Sequence, residues 1–283
     1  MRYSYFLLIL LILLTALAGC QSQDQETSAQ RYVVISPEIT EIISALGAGD
    51  RIVGISAECV FSEEMQDKEI VGNFGAINME KILALAPDIV FASALEQEAI
   101  AHDLRKLGIR VESSYPTSIS EMLFEITRIG EIIDLKQEAH NLADSLAKEI
   151  ALIKAAAKGL PRPRIYLEIY RDPLMSVADN SFVGELIETA GGDNIFERLE
   201  RDYSRVKAED VINQQPQIMI CYSQDSLQNI LARKGWAEIP AIKDRMIFFE
   251  EDIDPDLIQR AGPRSIAGMR RLAEIYQIWR DAQ

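Results

Sequence analysis

Residues 136–158 read KQEAHNLADSLAKEIALIKAAAK, a long stretch of helical pattern near the middle of the chain. Its apolar side chains recur every third or fourth residue, which is the spacing of one face of an α-helix. They are Ala139, Leu142, Ala143, Leu146, Ile150, Ile153 and Ala157. At 1.5 Å per residue this helix would be about 34 Å long, enough to cross a whole domain. The glycine and prolines of residues 159–163 (GLPRP) end it.

Strand and helix patterns alternate on the N-terminal side of this helix. Short apolar runs are separated by amphipathic segments, which is typical of a parallel sheet covered on both faces. The apolar runs are Tyr32–Ile35, Arg51–Ile55, Asp88–Ala92 and Ile109–Val111, and the helical segments are Glu38–Leu46, Asn78–Ala86 and Glu98–Leu107. Residues 118–158 show no strand pattern, and the alternation resumes after Pro163.

The two halves also repeat short sequences in the same order. Residues 80–90 (EKILALAPDIV) align with residues 209–219 (EDVINQQPQIM). Earlier in each half, residues 41–47 align with residues 185–191, sharing a glutamate at the start and a glycine at the end. Two ordered matches indicate two α/β lobes of one plan, joined by the long helix.

The N-terminus has the layout of an export signal. Arg2 is followed by an apolar run at residues 6–14 and by Leu17-Ala-Gly-Cys20. This order resembles the bacterial lipoprotein signal, in which the cysteine is lipidated and becomes the first residue of the mature protein. The alternative is an ordinary membrane anchor, but the apolar run is shorter than the roughly 20 residues that span a bilayer.

We predict five segments along the chain, and an exported protein held by acyl (palmitate-type) chains on a bacterial membrane, on its periplasmic or outer face. The segments are a signal peptide at 1–19, a flexible tether at 20–30, an N-terminal lobe at 31–117, a helical segment at 118–160 and a C-terminal lobe at 161–283.

Composition narrows the function. The formal charge of −15 argues against binding to nucleic acid or to anionic lipid. Two histidines, His102 and His140, and no Cys-x-x-Cys pair argue against a metal centre. Cys59 and Cys221 either remain thiols or form one disulfide. Hydrolase, metalloprotease and phosphate-loop motifs are missing from the sequence, so we predict a binding protein with no catalytic residues, resident metal or cofactor.

Four stretches together resemble one family, the helical-backbone substrate-binding proteins of ABC importers. They are residues 31–54, 71–88, 190–196 and 261–264. The family carries ferric siderophores, haem or cobalamin. The resemblance implies two Rossmann-like lobes with parallel-rich sheets, a rigid helix between them and a ligand cleft between the lobes. It also implies a monomer that delivers a metal chelate to a permease dimer with its ATPase subunits.

Glu80 and Glu209 occupy equivalent positions in the internal repeat, each in the first turn of a predicted helix. The resemblance implies that such carboxylates lie on the outer rim of each lobe and dock on permease arginines. The alternative is favourable interaction with the helix dipole alone, worth about 0.3–1 kcal/mol.

Segments after the strands are the candidates for a cleft, because ligands bind at the carboxyl ends of parallel strands. Aromatic rings there would stack on a planar chelate, and arginines would pair with carboxylates. Ordinary packing is the alternative for each residue. The candidate ligand-binding residues are Glu58, Cys59, Phe61, Phe74, Ser93, Tyr170, Arg171, Tyr203, Tyr222 and Arg260.

The predicted cleft loops are acidic and carry few aromatics for a cobalamin-binding member of the family. Negative loops also disfavour a trianionic siderophore unless Arg171 and Arg260 face it. A neutral or cationic metal chelate, or a corrinoid variant, stays open as the cargo. Two other functions stay open at this point: a surface lipoprotein without a transport role, and an enzyme that processes metal chelates on the same fold.

The lipoprotein signal gives the first prediction. Replacement of Cys20 by serine removes the thiol that would carry the acyl chains, so the variant should move from the membrane pellet to the soluble fraction. Fractionation followed by immunoblotting measures this. Cys59→Ser serves as the control and should stay with the membrane, and a Cys20→Ser protein that also stays there would contradict lipidation.

Overall fold

The computed structural model describes residues 29–94 and 97–283. The export signal and Cys20 lie outside the described residues, and so does the tether up to residue 28. The described part forms two α/β lobes with a helical segment between them.

The N-terminal lobe is a six-stranded sheet in the order β4-β3-β2-β1-β5-β6. All neighbours in it are parallel except β3 and β4. The chain moves outward from β1 in one direction, then returns to β5 on the other side, so the order reverses between β1 and β5. The elements are β1 Tyr32–Val34, α1 Pro37–Ala45, β2 Ile52–Ser56, α2 Glu63–Gln66, β3 Glu69–Asn73, β4 Ala76–Ile77, α3 Met79–Ala84, β5 Ile89–Ser93, α4 Glu98–Lys106 and β6 Arg110–Ser114.

Two helices connect the lobes, α5 Ile119–Ile132 and α6 Lys136–Ala157. Helix α6 is the long helix that the sequence predicts. It buries one stripe, Ala139, Ala143, Leu146 and Ile150. Gly130 lets α5 approach closely, since a Cβ there would lie 2.1 Å from the Cβ of Ala139.

The C-terminal lobe repeats the parallel arrangement in the order β10-β7-β12-β13 and adds a three-stranded antiparallel sheet, β11-β9-β8, which the sequence does not predict. Its elements are β7 Arg164–Glu168, β8 Tyr170–Arg171, β9 Leu174–Val177, α7 Phe182–Thr189, β10 Asp193–Asn194, β11 Tyr203–Arg205, α8 Ala208–Gln214, β12 Ile218–Cys221, α9 Leu227–Leu231, α10 Pro240–Lys243, β13 Ile247–Phe248, α11 Asp256–Gln259 and α12 Ser265–Asp281.

The internal repeat extends to backbone hydrogen bonds. Gly47 ends α1 at φ +78° and Gly191 ends α7 at φ +95°. The Gly47 amide donates to the Ser44 carbonyl at 2.9 Å, and the Gly191 amide donates to the Glu188 carbonyl at 3.1 Å. Both helices therefore close in a left-handed glycine turn, the common C-terminal cap.

The second repeated block shows the same agreement. Ala86 and Gln215 follow α3 and α8, and both adopt left-handed φ values, 45° and 48°. At the start of the central strand of each lobe, the Arg31 and Arg164 side chains donate to carbonyls at the ends of α3 and α8. These matching local geometries support two copies of one plan.

The core lies between the sheets and the helices, and both remaining cysteines are inside it. Cys59 and Cys221 are buried and free, so the thiol alternative holds over the disulfide. Of the helices in residues 29–94 and 97–283, none is both long and apolar enough to cross a bilayer.

The packing of α6 predicts a small change in shape on loading. Helix α6 buries one stripe along its length and packs on α5, α7 and α12, so bending it would break many contacts together. Small-angle X-ray scattering of the protein with and without a bound chelate should give nearly the same radius of gyration. A marked compaction, as in closure about a flexible hinge, would contradict this prediction.

Candidate functional site

A cleft of about 310 Å³ lies between the two lobes. Its N-terminal wall contains Pro37, Glu38, Glu58, Phe74, Ser93 and the segment 115–117, and its C-terminal wall contains Ser181, Phe182, Asp202, Tyr203 and the segment 259–261. Pro37 follows β1 and Ser93 ends β5, where the strand order of the N-terminal sheet reverses. This is the position at which open α/β sheets bind ligands.

The cleft uses repeat-equivalent positions from both lobes. Phe74 precedes Glu80 by the same number of residues as Tyr203 precedes Glu209, so these two cleft aromatics occupy equivalent positions in the two lobes. Helices α1 and α7, which contain most of the earlier repeated block, also both begin at the cleft. Duplication of one lobe plan therefore generates two similar walls.

Serine caps fix the starts of these two helices. The Ser36 hydroxyl accepts from the Ile39 amide at 3.4 Å, and the Ser181 hydroxyl accepts from the Gly184 amide at 3.0 Å. Gln97 then ties β5 to β1: its side-chain oxygen accepts from the Ser93 amide at 2.8 Å. Its amide nitrogen donates to the Ile35 carbonyl at 2.7 Å. These bonds hold the strand ends that carry the N-terminal wall.

Glu58 positions the aromatic residue of the N-terminal wall. It lies in a 3₁₀ turn after β2, and its Oε1 accepts from the Phe74 amide at 2.8 Å. The Phe74 side chain is 46% exposed at the tip of the β3–β4 hairpin. Asn73 shapes that tip, since its Oδ1 accepts from the Gly75 amide at 3.1 Å.

Tyr115 and Asp202 form a hydrogen bond across the cleft between the lobes. The Tyr115 hydroxyl, just after β6, donates to Oδ2 of Asp202 at 3.3 Å. Asp202 is held in turn by its own carbonyl, which accepts from the Ala178 amide at 3.0 Å. The contact places a carboxylate of the C-terminal lobe against the wall of the N-terminal lobe.

Glu41 of α1 forms the main polar contact between the lobes. Its side chain is buried, and its Oε1 accepts from Arg264 at 3.1 Å and lies 3.7 Å from Arg260. Gly262 packs against the carboxylate, because a Cβ there would lie 2.6 Å from Oε2. Burial raises the pKa of Glu41 to about 7, although Arg264 and Arg260 favour its charged form.

The cleft is acidic despite the presence of an arginine. Three acidic residues, Glu38, Glu58 and Asp202, line the cleft. Among the described residues of its walls, Arg260 is the one basic residue. Arg260 also pairs with Asp256 at 2.7 Å, besides its approach to Glu41. The lining groups of the cleft are therefore three carboxylates against one guanidinium group.

Half of the candidate ligand residues line this cleft: Glu58, Phe74, Ser93, Tyr203 and Arg260. The sequence did not indicate four further cleft residues, Tyr115, Ser181, Phe182 and Asp202. Tyr115 follows a predicted strand, so the rule that ligands bind at the carboxyl ends of strands could have identified it. Ser181 could have been identified as the serine that caps the start of α7.

Three candidates face the interior or the seam between lobes instead. Cys59 is completely buried, and its thiol donates to the Val34 carbonyl at 3.6 Å. Tyr222 is 7% exposed and belongs to the core. Phe61 packs under Arg264, whose guanidinium carbon lies 5.3 Å from the ring centre. Strand ends supply core residues as well as cleft residues, which the sequence pattern does not separate.

Tyr170 and Arg171 also lie outside the cleft, because they form β8 of the unpredicted antiparallel sheet. Arg171 donates to Asp225 at 2.9 Å. Asp225 in turn pairs with Arg233, which binds the fully buried Glu168 through two hydrogen bonds of 2.6 and 2.7 Å. Arg171 therefore belongs to a structural ion-pair network.

Glu80 and Glu209 are exposed in the first turns of α3 and α8. Asn78 caps α3 by accepting from the Lys81 amide at 3.0 Å. Neither glutamate lines the cleft. Within residues 29–94 and 97–283, no group of three or more His, Cys, Asp or Glu side chains is arranged to hold a metal ion.

A cleft between two α/β lobes, reached from the carboxyl ends of parallel strands, defines a two-lobed ligand-binding protein. Residues 33–252 match the family described as periplasmic binding protein, and the chain belongs to that family. The family consists of exported binding proteins, which confirms the resemblance seen in the sequence.

Two named relatives are similar to this chain over most of its length. The chain is 27% identical over 252 residues to a vitamin B12-binding protein of Vibrio vulnificus, covering 88% of this chain and 91% of the relative. It is 28% identical over 253 residues to an uncharacterized ABC transporter substrate-binding lipoprotein, YvrC, of Bacillus subtilis, covering 87% of this chain and 79% of the relative.

Solved structures share the fold. The periplasmic haem-binding protein RhuT of Roseiflexus superposes with a TM-score of 0.78 at 23% identity, covering 90% of this chain and 99% of that one. The vitamin B12-binding protein BtuF of Vibrio cholerae gives 0.75 at 24% identity, covering 89% and 98%. The predicted two-lobe α/β fold is thereby confirmed.

The shifted pKa of Glu41 gives a prediction about stability. Folded Glu41 holds its proton up to about pH 7, whereas in the unfolded chain it loses it near 4.5. Between these values the folded state binds more protons, so this contribution to stability falls as pH rises, by about 3 kcal/mol in all. Glu41→Gln cannot titrate and should lack this slope.

Urea denaturation of both proteins from pH 5 to pH 8 measures the difference. Glu63→Gln, an exposed substitution on α2, is the matched control and should follow the wild type. Parallel pH profiles for the wild type and Glu41→Gln would show that Glu41 titrates in its ordinary range.

Proposed function

We propose that this protein is the substrate-binding lipoprotein of an ABC importer. It is anchored through acyl chains on Cys20, captures a metal chelate in the cleft and delivers it to a permease dimer. The observation that carries the proposal is the cleft itself, which collects strand-end residues from two repeated lobes and places an aromatic ring on each wall. Membership of the family and the relative of lipoprotein type support it.

The chemistry of the cleft favours a neutral or cationic chelate among the cobalamin, siderophore and haem classes. Phe74 and Tyr203 offer flat apolar faces suited to a macrocycle. Three lining carboxylates repel an anionic cargo, against one lining guanidinium group, Arg260, which pairs with Asp256. Haem carries two carboxylates, and many ferric siderophores are anions. A corrinoid is therefore the first candidate, in keeping with relatives named for vitamin B12.

Delivery is proposed to run through Glu80 and Glu209. Both are exposed and equivalent in the repeat, and each follows a cleft aromatic closely in sequence. A permease made of two similar subunits presents the same surface twice, which suits a pair of equivalent carboxylates. Dipole stabilisation of α3 and α8 remains compatible with this role.

The proposal is tested by the variant Glu80→Ala/Glu209→Ala. Loss of a desolvated charge partner at an interface costs about 2–5 kcal/mol, so transport into reconstituted vesicles containing the permease should fall to background. Chelate binding by the purified variant, followed by absorption spectroscopy, should stay near that of the wild type because neither side chain lines the cleft.

Glu63→Ala/Glu238→Ala removes the same charge from exposed sites on both lobes and serves as the control. If chelate affinity falls together with transport, the two glutamates are ligand groups. If transport survives, docking through them is wrong. A wild-type protein that binds no chelate of any of the three classes would overturn the proposed function.

A further inference from the structure

Glu58 carries a carboxylate oxygen that the protein does not use. Its Oε1 accepts from the Phe74 amide at 2.8 Å, but its Oε2 is buried and has no hydrogen-bond partner among the described residues. No ion pair within that part of the chain involves Glu58 either. Glu58 nevertheless forms part of the cleft wall, beside the ring of Phe74.

An unused oxygen of this kind is costly. A carboxylate oxygen only accepts hydrogen bonds. When it is buried without a donor, the folded protein incurs the full cost of removing it from water with no hydrogen bond to offset it. The turn at 57–59 and the bond to Phe74 hold Glu58 in place, so the side chain is not free to leave for solvent without releasing the hairpin. Because neighbouring atoms cover Oε2, a donor on the cargo recovers this cost when those atoms move aside as the cargo enters.

We infer that Glu58 determines which chelates the cleft accepts, by receiving a hydrogen bond from the edge of the cargo. This inference rests on the proposed function. The favoured cargo presents amide N–H, hydroxyl or cationic groups at its periphery, while a carboxylate at the same point meets a like charge. Among the three chelate classes, this selects a macrocycle edged with amides over one edged with carboxylates.

Glu58 also holds Phe74 in the cleft wall through the hydrogen bond to its amide. Substitutions can separate this structural effect from the selection of cargo. Glutamine keeps a carbonyl oxygen for the Phe74 amide but places an N–H donor, with no charge, where Oε2 was. Alanine removes both groups and frees the β3–β4 hairpin. A role in specificity predicts that glutamine alters the order of preference among cargoes, whereas a purely structural role predicts equal losses for all.

The test uses two probes of opposite edge chemistry, cyanocobalamin with its primary amides and haemin with its two carboxylates. Affinities are measured by equilibrium titration for the wild type, Glu58→Gln, Glu58→Ala and the control Glu63→Gln. Wild type is expected to prefer cyanocobalamin. Glu58→Gln should bind it about tenfold or more weakly, as for a lost hydrogen bond to a charged group, and should bind haemin equally well or better.

The outcomes separate the two proposals. If wild type binds cyanocobalamin and Glu58→Gln binds it equally well, the inference about Glu58 is wrong while the transport function stands. Equal losses for both probes in Glu58→Gln, or a wild type that prefers haemin, also overturn it. If wild type binds neither probe nor any ferric siderophore, the proposed function falls and the inference with it. Thermal melting of each variant confirms that it is folded.

Discussion

A single buried carboxylate joins the two lobes, and the character of the cleft depends on it. Glu41 comes from the first helix of the chain, and its partners Arg260 and Arg264 come from the last quarter. Glu41 draws both guanidinium groups toward the seam, while three carboxylates line the walls of the cleft. Since a buried charge without partners is expensive, the contact also fixes how the lobes meet. The Glu41 contact therefore affects both the way the lobes meet and the position of the arginines beside the cleft.

The second organising feature is duplication. Both lobes end their first helix in a left-handed glycine and follow the later helix with a left-handed residue before proline, Ala86 in one lobe and Gln215 in the other. These details place equivalent residues at the cleft from both sides, including Phe74 and Tyr203. The lobes differ where the C-terminal one inserts an antiparallel sheet. That insertion removes Tyr170 and Arg171 from the cleft.

Sequence periodicity predicted the two lobes and the long helix because these depend on patterns of burial that repeat along the chain. The β3–β4 hairpin escaped prediction, since β3 is largely exposed and lacks the apolar run of the other strands. The residues that line the cleft were harder to predict from the sequence. Strand ends could be located, but the direction of each side chain depends on packing, so Cys59 and Tyr222 point inward while Glu58 lines the site. The Glu41 contact joins residues far apart in sequence, and local patterns carry no signal for it.

The segments from Phe74 to Glu80 and from Tyr203 to Glu209 each combine a cleft wall with an exposed helix start. The ring and the carboxylate of each segment belong to different elements, separated by a turn and a helix cap. A substitution of Phe74 or Tyr203 reshapes the wall and leaves the first turn of the helix unchanged. The residues of the cleft wall can therefore change in sequence while the exposed starts of α3 and α8 keep their geometry.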